Sequence, residues 1–167
     1  MIIERLDAVA GELAFLPTPP MFFGAAVLPL YLDDLEKQQA LVRPTEDVDV
    51  VISLPKDEGS SELKAISRLE RQLSSRGFEH DTRSHRGNID AWITPSGIPV
   101  DLVLDLRYSP DDWPLLSRAS AQARALPSGR SARVPAPEYY LCCKIAASRE
   151  PKRWDGPYYS QDIPFCP

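Results

Sequence analysis

Two segments of the sequence have the alternation of a half-buried β-strand, and each carries acidic residues near its start. In the first, RPTEDVDVVISL, the apolar residues Val48, Val50 and Ile52 fall on one face of a strand, while Asp47 and Asp49 fall on the other. The second, PVDLVLDL, repeats this arrangement further along the chain. One face of each strand can therefore build a core while the opposite face presents carboxylates.

The second segment is the later arm of a predicted β-hairpin. The run RGNIDAWITPSGIPVDLVLDL contains two β-rich stretches joined by the turn Pro95-Ser96-Gly97. Asp101 stands near the start of the second arm, whose other face is apolar, just as Asp49 does in its own strand. Pairing of these two strands would bring Asp101 beside Asp47 and Asp49.

A cluster of aspartates on a sheet indicates a metal site. Two residues apart on one strand, Asp47 and Asp49 are separated by about 6–7 Å along the backbone and project to the same face. Two neighbouring carboxylates repel each other unless a cation compensates, and oxygen ligands suit Mg²⁺ or Mn²⁺. Two metal ions that hold an in-line displacement at phosphorus need a further acid, for which Asp101 is the candidate. The alternative is that these acids are solvated strand ends without function.

The order of predicted elements indicates a mixed β-sheet with helices packed on it, of the α+β (α/β) class. The length of 167 residues fits a single domain. The predicted elements are an N-terminal amphipathic helix ended by Thr18–Pro20, a strand at Met21–Phe23, a helix after Gly24, a helix from Ser60 to Arg76, a strand at Phe78–Arg83, the hairpin, a helix near Trp113–Ala125, a strand at Ala132–Val134 and a last helix from Pro137.

Composition excludes some classes of function. The net charge of −5 argues against sequence-blind coating of nucleic acid, which relies on many Lys and Arg contacts to phosphates. The longest apolar run, MFFGAAVLPLYL, is shorter than the ~20 residues that a membrane span needs, so we expect no membrane association. The cysteines are Cys142, Cys143 and Cys166, without metal-ligand spacing, and we expect reduced thiols in a cytoplasmic protein.

Two further features are candidates for binding phosphate. Gly24 lies where a strand gives way to a helix, and N–H groups at a helix start can hold an anion, although a glycine there also allows close packing of helix on sheet. The last predicted helix and its exit carry a basic cluster that can neutralise a triphosphate or can simply be a solvated helix end: Lys144, Arg149, Lys152 and Arg153.

Together these motifs resemble the polymerase-β-like nucleotidyltransferases, in particular the minimal or AbiEii-type group found as toxins in bacterial type IV toxin–antitoxin systems. The resemblance covers about Met21 to Ile163. The residues that carry it are the turn Gly24-Ala25, then Arg43, Thr45, Asp47 and Asp49 in the Arg-x-Thr-x-Asp-x-Asp pattern, Asp101 on a later strand, Lys144 in the Pro-x-Tyr-Leu-x-x-Lys-like helix APEYYLCCKIAA, and Asp162 in SQDI.

The resemblance implies a polymerase-β-like nucleotidyltransferase fold and a role for each of these residues. Asp47, Asp49 and Asp101 would bind two Mg²⁺ ions (or Mn²⁺) that also hold a nucleoside triphosphate such as ATP, and Asp101 would help to deprotonate the attacking hydroxyl. Lys144 would steady the phosphates. The substrate-binding set would be Gly24, Ala25, Arg43, Thr45, Lys144 and Asp162. The implied acceptor is RNA, in particular tRNA, or a protein, and the implied protein partner is an antitoxin.

The sequence departs from the family pattern at two places. Ala25 stands where the family has a second Gly or Ser, and the chain ends at PFCP just after SQDI, where the family continues into more helices. We therefore expect one nucleotidyltransferase domain over 1–167 with a shortened C-terminal helical part. Two alternatives stay open: a catalytically degenerate member of the same fold that binds nucleotide or a partner protein, and a different carboxylate-metal enzyme such as a phosphodiesterase.

Overall fold

In a computed structural model of the chain, the described residues form a seven-stranded mixed sheet with helices. The structure describes residues 2–32, 45–53, 62–82, 91–104 and 121–148. Its elements are α1 (Ile2–Glu12), β1 (Met21–Phe23), a 3-10 helix η1 (Ala25–Tyr31), β2 (Val48–Ile52), α2 (Glu62–Ser74), β3 (Glu79–His80), β4 (Ala91–Ile93), β5 (Pro99–Leu104), β6 (Ala121–Ala125), β7 (Ser131–Pro135) and α3 (Pro137–Ser148).

The strands lie in the order β3-β4-β5-β2-β1-β7-β6. Two pairs of neighbours, β2 with β5 and β1 with β7, are parallel, and the other pairs are antiparallel. The predicted fold class is confirmed, as are the predicted strand Met21–Phe23 and the hairpin of β4 and β5.

One face of the sheet is buried in the core. Along β2 and β5 this face is made of Val48, Val50, Val100 and Leu102, which are at most 3% exposed. The N-terminal helix α1 contacts β2 and η1 and contributes the buried side chains Leu6 and Val9, and Leu13, directly after the helix, is buried as well. Each fully buried aliphatic side chain of this kind contributes about 1.5–3 kcal/mol to stability, so the apolar face accounts for much of the folding free energy.

The β4–β5 and β6–β7 hairpins both turn at the sequence Pro-Ser-Gly, and an acidic residue of α1 contacts each of these turns. The glycines, Gly97 and Gly129, have φ of 80° and 83°. The backbone N–H of Ser96 donates to Glu12 Oε1 at 2.9 Å, and that of Ser128 donates to Asp7 Oδ2 at 2.8 Å. A single helix therefore connects the turns of the β4–β5 and β6–β7 hairpins.

The predicted helix near Trp113–Ala125 is wrong over its last part. Ala121–Ala125 forms strand β6, which pairs antiparallel with β7, while 113–120 lies outside the described residues. The alanines of AQARA favour a helix locally, but pairing with β7 across the turn at Ser128 and Gly129 overrides that preference, as tertiary contacts often do.

The chain divides into two compact units, Met1–Pro135 and Ala136–Pro167. The expectation of one domain over 1–167 with a shortened C-terminal helical part stays a prediction. In the part of the chain that the structure describes, no helix combines the length and the apolar character that a membrane crossing requires.

Asp7 provides a stability test of the contact between α1 and the β6–β7 turn. Its side chain is 12% exposed, and it accepts hydrogen bonds from the Ser128 N–H and, at 2.6 Å, from Ser128 Oγ, with Arg130 Nη1 at 3.5 Å. Burial by itself would raise the pKa of Asp7, but the bonds from Ser128 and the charge of Arg130 outweigh it and hold the pKa below 3.8. We expect Asp7→Ala to lower the free energy of unfolding by about 1–3 kcal/mol at pH 7.

The pH dependence of this effect has a definite sign. Because the pKa of Asp7 is lower in the folded protein than in the unfolded chain, its contribution is present above about pH 4 and is lost as the pH falls through the folded pKa. The difference in stability between the parent and Asp7→Ala, measured by urea unfolding from pH 7 to pH 2.5, should therefore become smaller toward the acid end. The control is Glu79→Ala, an exposed acid of β3, which should change stability little at any pH. A constant difference between parent and Asp7→Ala down to pH 2.5 would contradict the assignment.

Candidate active site

Asp49 and Asp101 lie opposite each other on neighbouring strands. In the parallel pairing of β2 with β5, Val48 is level with Val100 and Asp49 with Asp101. Neighbouring strands are about 4.8 Å apart, and residues that are level with each other project to the same face. Both aspartates are partly exposed, whereas the valines beside them are buried. Two of the three predicted acids thus lie side by side on the more open face of the sheet.

Asp47 lies just before β2, outside the strand pairing. Strand alternation therefore does not fix the direction of its side chain, and its meeting with Asp49 stays a prediction. Thr45 Oγ1 donates a short hydrogen bond to Asp47 Oδ1 and contacts the Asp47 carbonyl oxygen at 3.3 Å. Within the described ranges, no group of three or more His, Cys, Asp or Glu side chains is arranged to hold a metal ion. The carboxylate arrangement that the structure describes is therefore the pair on β2 and β5.

Gly24 lies against the carboxylate of Asp49. It follows Phe23, which is level with Asp49 in the pairing of β1 with β2, and its φ is 72°. A Cβ added at residue 24 would overlap a carboxylate oxygen of Asp49 and lie 2.8 Å from its Cγ. Both the backbone conformation and the space therefore require glycine here. The sequence motif indicated that Gly24 matters, but not that its backbone contacts an acid of the site.

The segment after Gly24 is a 3-10 helix of seven residues that begins at Ala25. Pro29 lies inside it, and in an α-helix its ring would clash with the carbonyl group of Ala25, four residues earlier, which disfavours the α-helical form here. The sequence predicts an anion at the start of an α-helix, but the helix that follows Gly24 is a short 3-10 helix, so the dipole of an α-helix does not support this site. Phosphate binding by Gly24 and Ala25 stays a prediction. At the other end of η1, Tyr31 Oη donates to the carbonyl oxygen of Pro135 at 2.8 Å and ties η1 to β7.

Three further predicted site residues are Arg43, Lys144 and Asp162. Arg43 and Asp162 lie outside the described residues. Lys144 belongs to α3, in the second unit, where it is exposed and its Nζ lies 5.7 Å from the ring centroid of Tyr140. The roles assigned to these three residues by resemblance stay predictions.

Cys143 of α3 does not have the features of a nucleophile. Cys142 is exposed and Cys143 is partly buried, and both are free thiols. Burial raises the pKa of the Cys143 thiol, which outweighs the opposing hydrogen bond with Tyr139. Reactive cysteines instead have a lowered pKa.

The chain is similar in structure to one solved protein, and its sequence matches no family model and no curated protein. The crystal structure of an antigenic nucleotidyltransferase-like protein from Paracoccidioides brasiliensis superposes with a TM-score of 0.57 at 23% sequence identity. The similarity covers 97% of this chain and 72% of that chain. The chain has a nucleotidyltransferase-like fold. At this level of identity the likeness establishes the fold alone, and the chemistry has to be argued from the site.

The contact between Gly24 and Asp49 can be tested with a matched glycine. Gly97 also has a positive φ, of 80°, but a Cβ there would meet nothing within 4 Å. Gly97→Ala should therefore cost only the backbone penalty, about 1–2 kcal/mol. Gly24→Ala should cost about 1–3 kcal/mol more, because the added methyl group collides with the carboxylate.

A double-mutant cycle separates the two terms. In an Asp49→Ala background the carboxylate is absent, so the extra cost of Gly24→Ala should become smaller, while the cost of Gly97→Ala should not change. Chemical denaturation of the single and double variants measures these differences. Equal costs for Gly24→Ala and Gly97→Ala in the parent would show that residue 24 does not contact Asp49.

Proposed function

We propose that this protein is a Mg²⁺- or Mn²⁺-dependent nucleotidyltransferase. It transfers a nucleoside monophosphate from a triphosphate, such as ATP, to a hydroxyl of RNA, in particular tRNA, or of a protein. The observation that carries the proposal is the in-register pair Asp49 and Asp101, with Gly24 packed against the first of them. The nucleotidyltransferase-like fold supports it.

The carboxylate pair fits a hard divalent cation. Two like charges level with each other on neighbouring strands repel, so the pair costs stability unless a cation lies between them. Mg²⁺ commonly takes one or two carboxylates from the protein and completes its coordination with water and substrate phosphates. Asp49 and Asp101 would supply these ligands, and Asp47 a further one. A bound metal ion would neutralise the phosphates and make the α-phosphorus more electrophilic.

The residues of the chain would then orient the substrates and move one proton. Asp101 accepts the proton of the acceptor hydroxyl, whose oxygen forms a bond to the α-phosphorus. The bond between that phosphorus and the oxygen bridging to the β-phosphorus breaks, and pyrophosphate leaves. Gly24 keeps the space beside Asp49 free of a side chain, and Lys144, by resemblance, steadies the phosphates. Proton transfer by a positioned group contributes typically about 10²–10⁴-fold in rate.

In the second candidate function, the protein keeps the nucleotidyltransferase-like fold but does not catalyse a reaction. Ala25, the first residue of η1, replaces the Gly or Ser that the family has at this position, which removes backbone freedom or a hydroxyl near the phosphates. Such a protein would bind nucleotide or a protein partner and transfer nothing. Binding and turnover therefore have to be measured separately.

The first experiment is thermal unfolding with each of the four ribonucleoside triphosphates, with and without Mg²⁺. A ligand at about 100 times its dissociation constant adds about 2.7 kcal/mol, which raises Tm by ~5–10 °C for a chain of this size. We expect a Mg²⁺-dependent shift in the parent and its loss in Asp49→Asn and Asp101→Asn. Glu79→Gln, which changes an exposed acid in β3 of the same sheet, should keep the shift.

Transfer is measured on the same variants with α-labelled triphosphates, using a total RNA pool and a protein extract as acceptors. Label in RNA or protein that falls at least about 100-fold in Asp101→Asn supports the enzyme. A nucleotide shift without any transfer supports the degenerate module instead. If neither a Tm shift nor transfer is observed, but the protein hydrolyses bis(p-nitrophenyl) phosphate in the presence of Mn²⁺, the result favours a phosphodiesterase.

The toxin-like role, with an antitoxin as partner, is the part of the proposal that rests on resemblance alone. If nucleotide transfer is toxic, induced expression in a bacterial host should arrest growth, and Asp49→Asn at the same expression level should not. Growth arrest by both proteins would mean that the effect does not come from the chemistry of this site.

A further inference from the structure

One side of α1 contacts both segments that lead into the acid-bearing strands. Arg5 Nη1 donates to the carbonyl oxygens of Thr45 and Glu46, each at 3.3 Å, and Glu12 Oε1 accepts the N–H of Ser96 at 2.9 Å. Arg5 and Glu12 are seven residues apart, close to two helical turns, so they lie on the same side of the helix.

These contacts lie close in sequence to the acids. Thr45 and Glu46 directly precede Asp47 and the start of β2, and Ser96 belongs to the turn from which β5 begins. By contrast, another acid of α1, Asp7, holds the turn before β7, a strand that carries no predicted site residue. The side of α1 that carries Arg5 and Glu12 thus holds the segments that present the carboxylates.

We propose that Arg5 is a positioning residue for the acid site, with Glu12 as its counterpart at β5. The proposal rests on the proposed function, because it concerns the same carboxylates. Arg5 acts through the backbone of residues 45–46: its two hydrogen bonds fix the direction in which the chain enters β2, and with it the placement of Asp47 and Asp49. Its guanidinium group also brings a positive charge to a segment that carries the negative charges of Glu46, Asp47 and Asp49.

This role is separable from folding. Arg5 is exposed, and the buried residues of α1 are Leu6 and Val9 among others, so removing its guanidinium leaves the core packing unchanged. Both hydrogen bonds come from the same nitrogen. A lysine ammonium, which has three donors and the same charge, can therefore replace part of the contact, whereas methionine keeps the aliphatic stem and removes donors and charge.

The test compares Arg5→Met, Arg5→Lys and the control Arg71→Met. Arg71 is an exposed arginine of α2 whose Nε donates to the Ser67 carbonyl oxygen within the same helix. Two properties are measured on the full chain: amide hydrogen exchange at residues 46–50 without any ligand, and the dissociation constant of Mn²⁺ by electron paramagnetic resonance. Glu12→Ala, with exchange followed at 96–101, is a second variant in case Arg5→Met does not fold.

We expect exchange at 46–50 to rise about tenfold in Arg5→Met and Mn²⁺ binding to weaken about tenfold, in line with the effect of residues that orient metal ligands. Arg5→Lys should recover part of both, and Arg71→Met should match the parent. Unchanged exchange in Arg5→Met would overturn the proposal. So would raised exchange with the Mn²⁺ affinity of the parent, since Arg5 would then be structural only.

The outcome also separates this proposal from the proposed function. If the parent itself binds no Mn²⁺, the metal part of the proposed function fails. In that case, raised exchange in Arg5→Met would still support the inference that Arg5 positions residues 45–46 before β2. Unchanged exchange would overturn that inference.

Discussion

The candidate site depends on the register between β2 and β5. Side chains alternate along a strand, so a slip of one residue would turn Asp49 or Asp101 into the core and a valine to the open face. The buried face prevents this slip, because Val48, Val50 and Val100 would lose their packing. The position of the carboxylates is therefore set by the apolar residues on the opposite side of the sheet, and the folding free energy of the core keeps the like charges together.

Backbone contacts restrict the carboxylate of Asp49 further. At the open face, the chain turns away at Gly24 with a conformation that places backbone, and no side chain, against Asp49. A carboxylate confined by a neighbouring backbone has fewer rotamers available than one at a free strand end. Such confinement favours ligand geometry that is set before a cation arrives, and it is paid for by the strain of a positive φ that only glycine tolerates.

The predictable parts of the fold are those with a local signal. Alternation identified β2 and β5, and a Pro-Ser-Gly turn identified the β4–β5 hairpin. The same triplet at Pro127-Ser128-Gly129 marks the β6–β7 hairpin, but the alanines of AQARA favoured a helix there. The contacts of Arg5 with Thr45 and of Glu12 with Ser96 join residues 40 and 84 positions apart, and a single sequence carries no local signal for such contacts.

The helix α1 contacts both Pro-Ser-Gly turns, but it makes different numbers of hydrogen bonds to them. Asp7 accepts two hydrogen bonds from Ser128 and lies beside Arg130. Glu12 accepts one from Ser96, and its buried Oε2 has no hydrogen-bond partner among the described residues. α1 thus makes more hydrogen bonds to the turn before β7 than to the turn before β5. The strand that carries Asp101, β5, is paired with β4 on one side and β2 on the other, whereas β6 is an edge strand. The position of Asp101 therefore depends more on its two neighbouring strands than on the bond from Ser96 to α1.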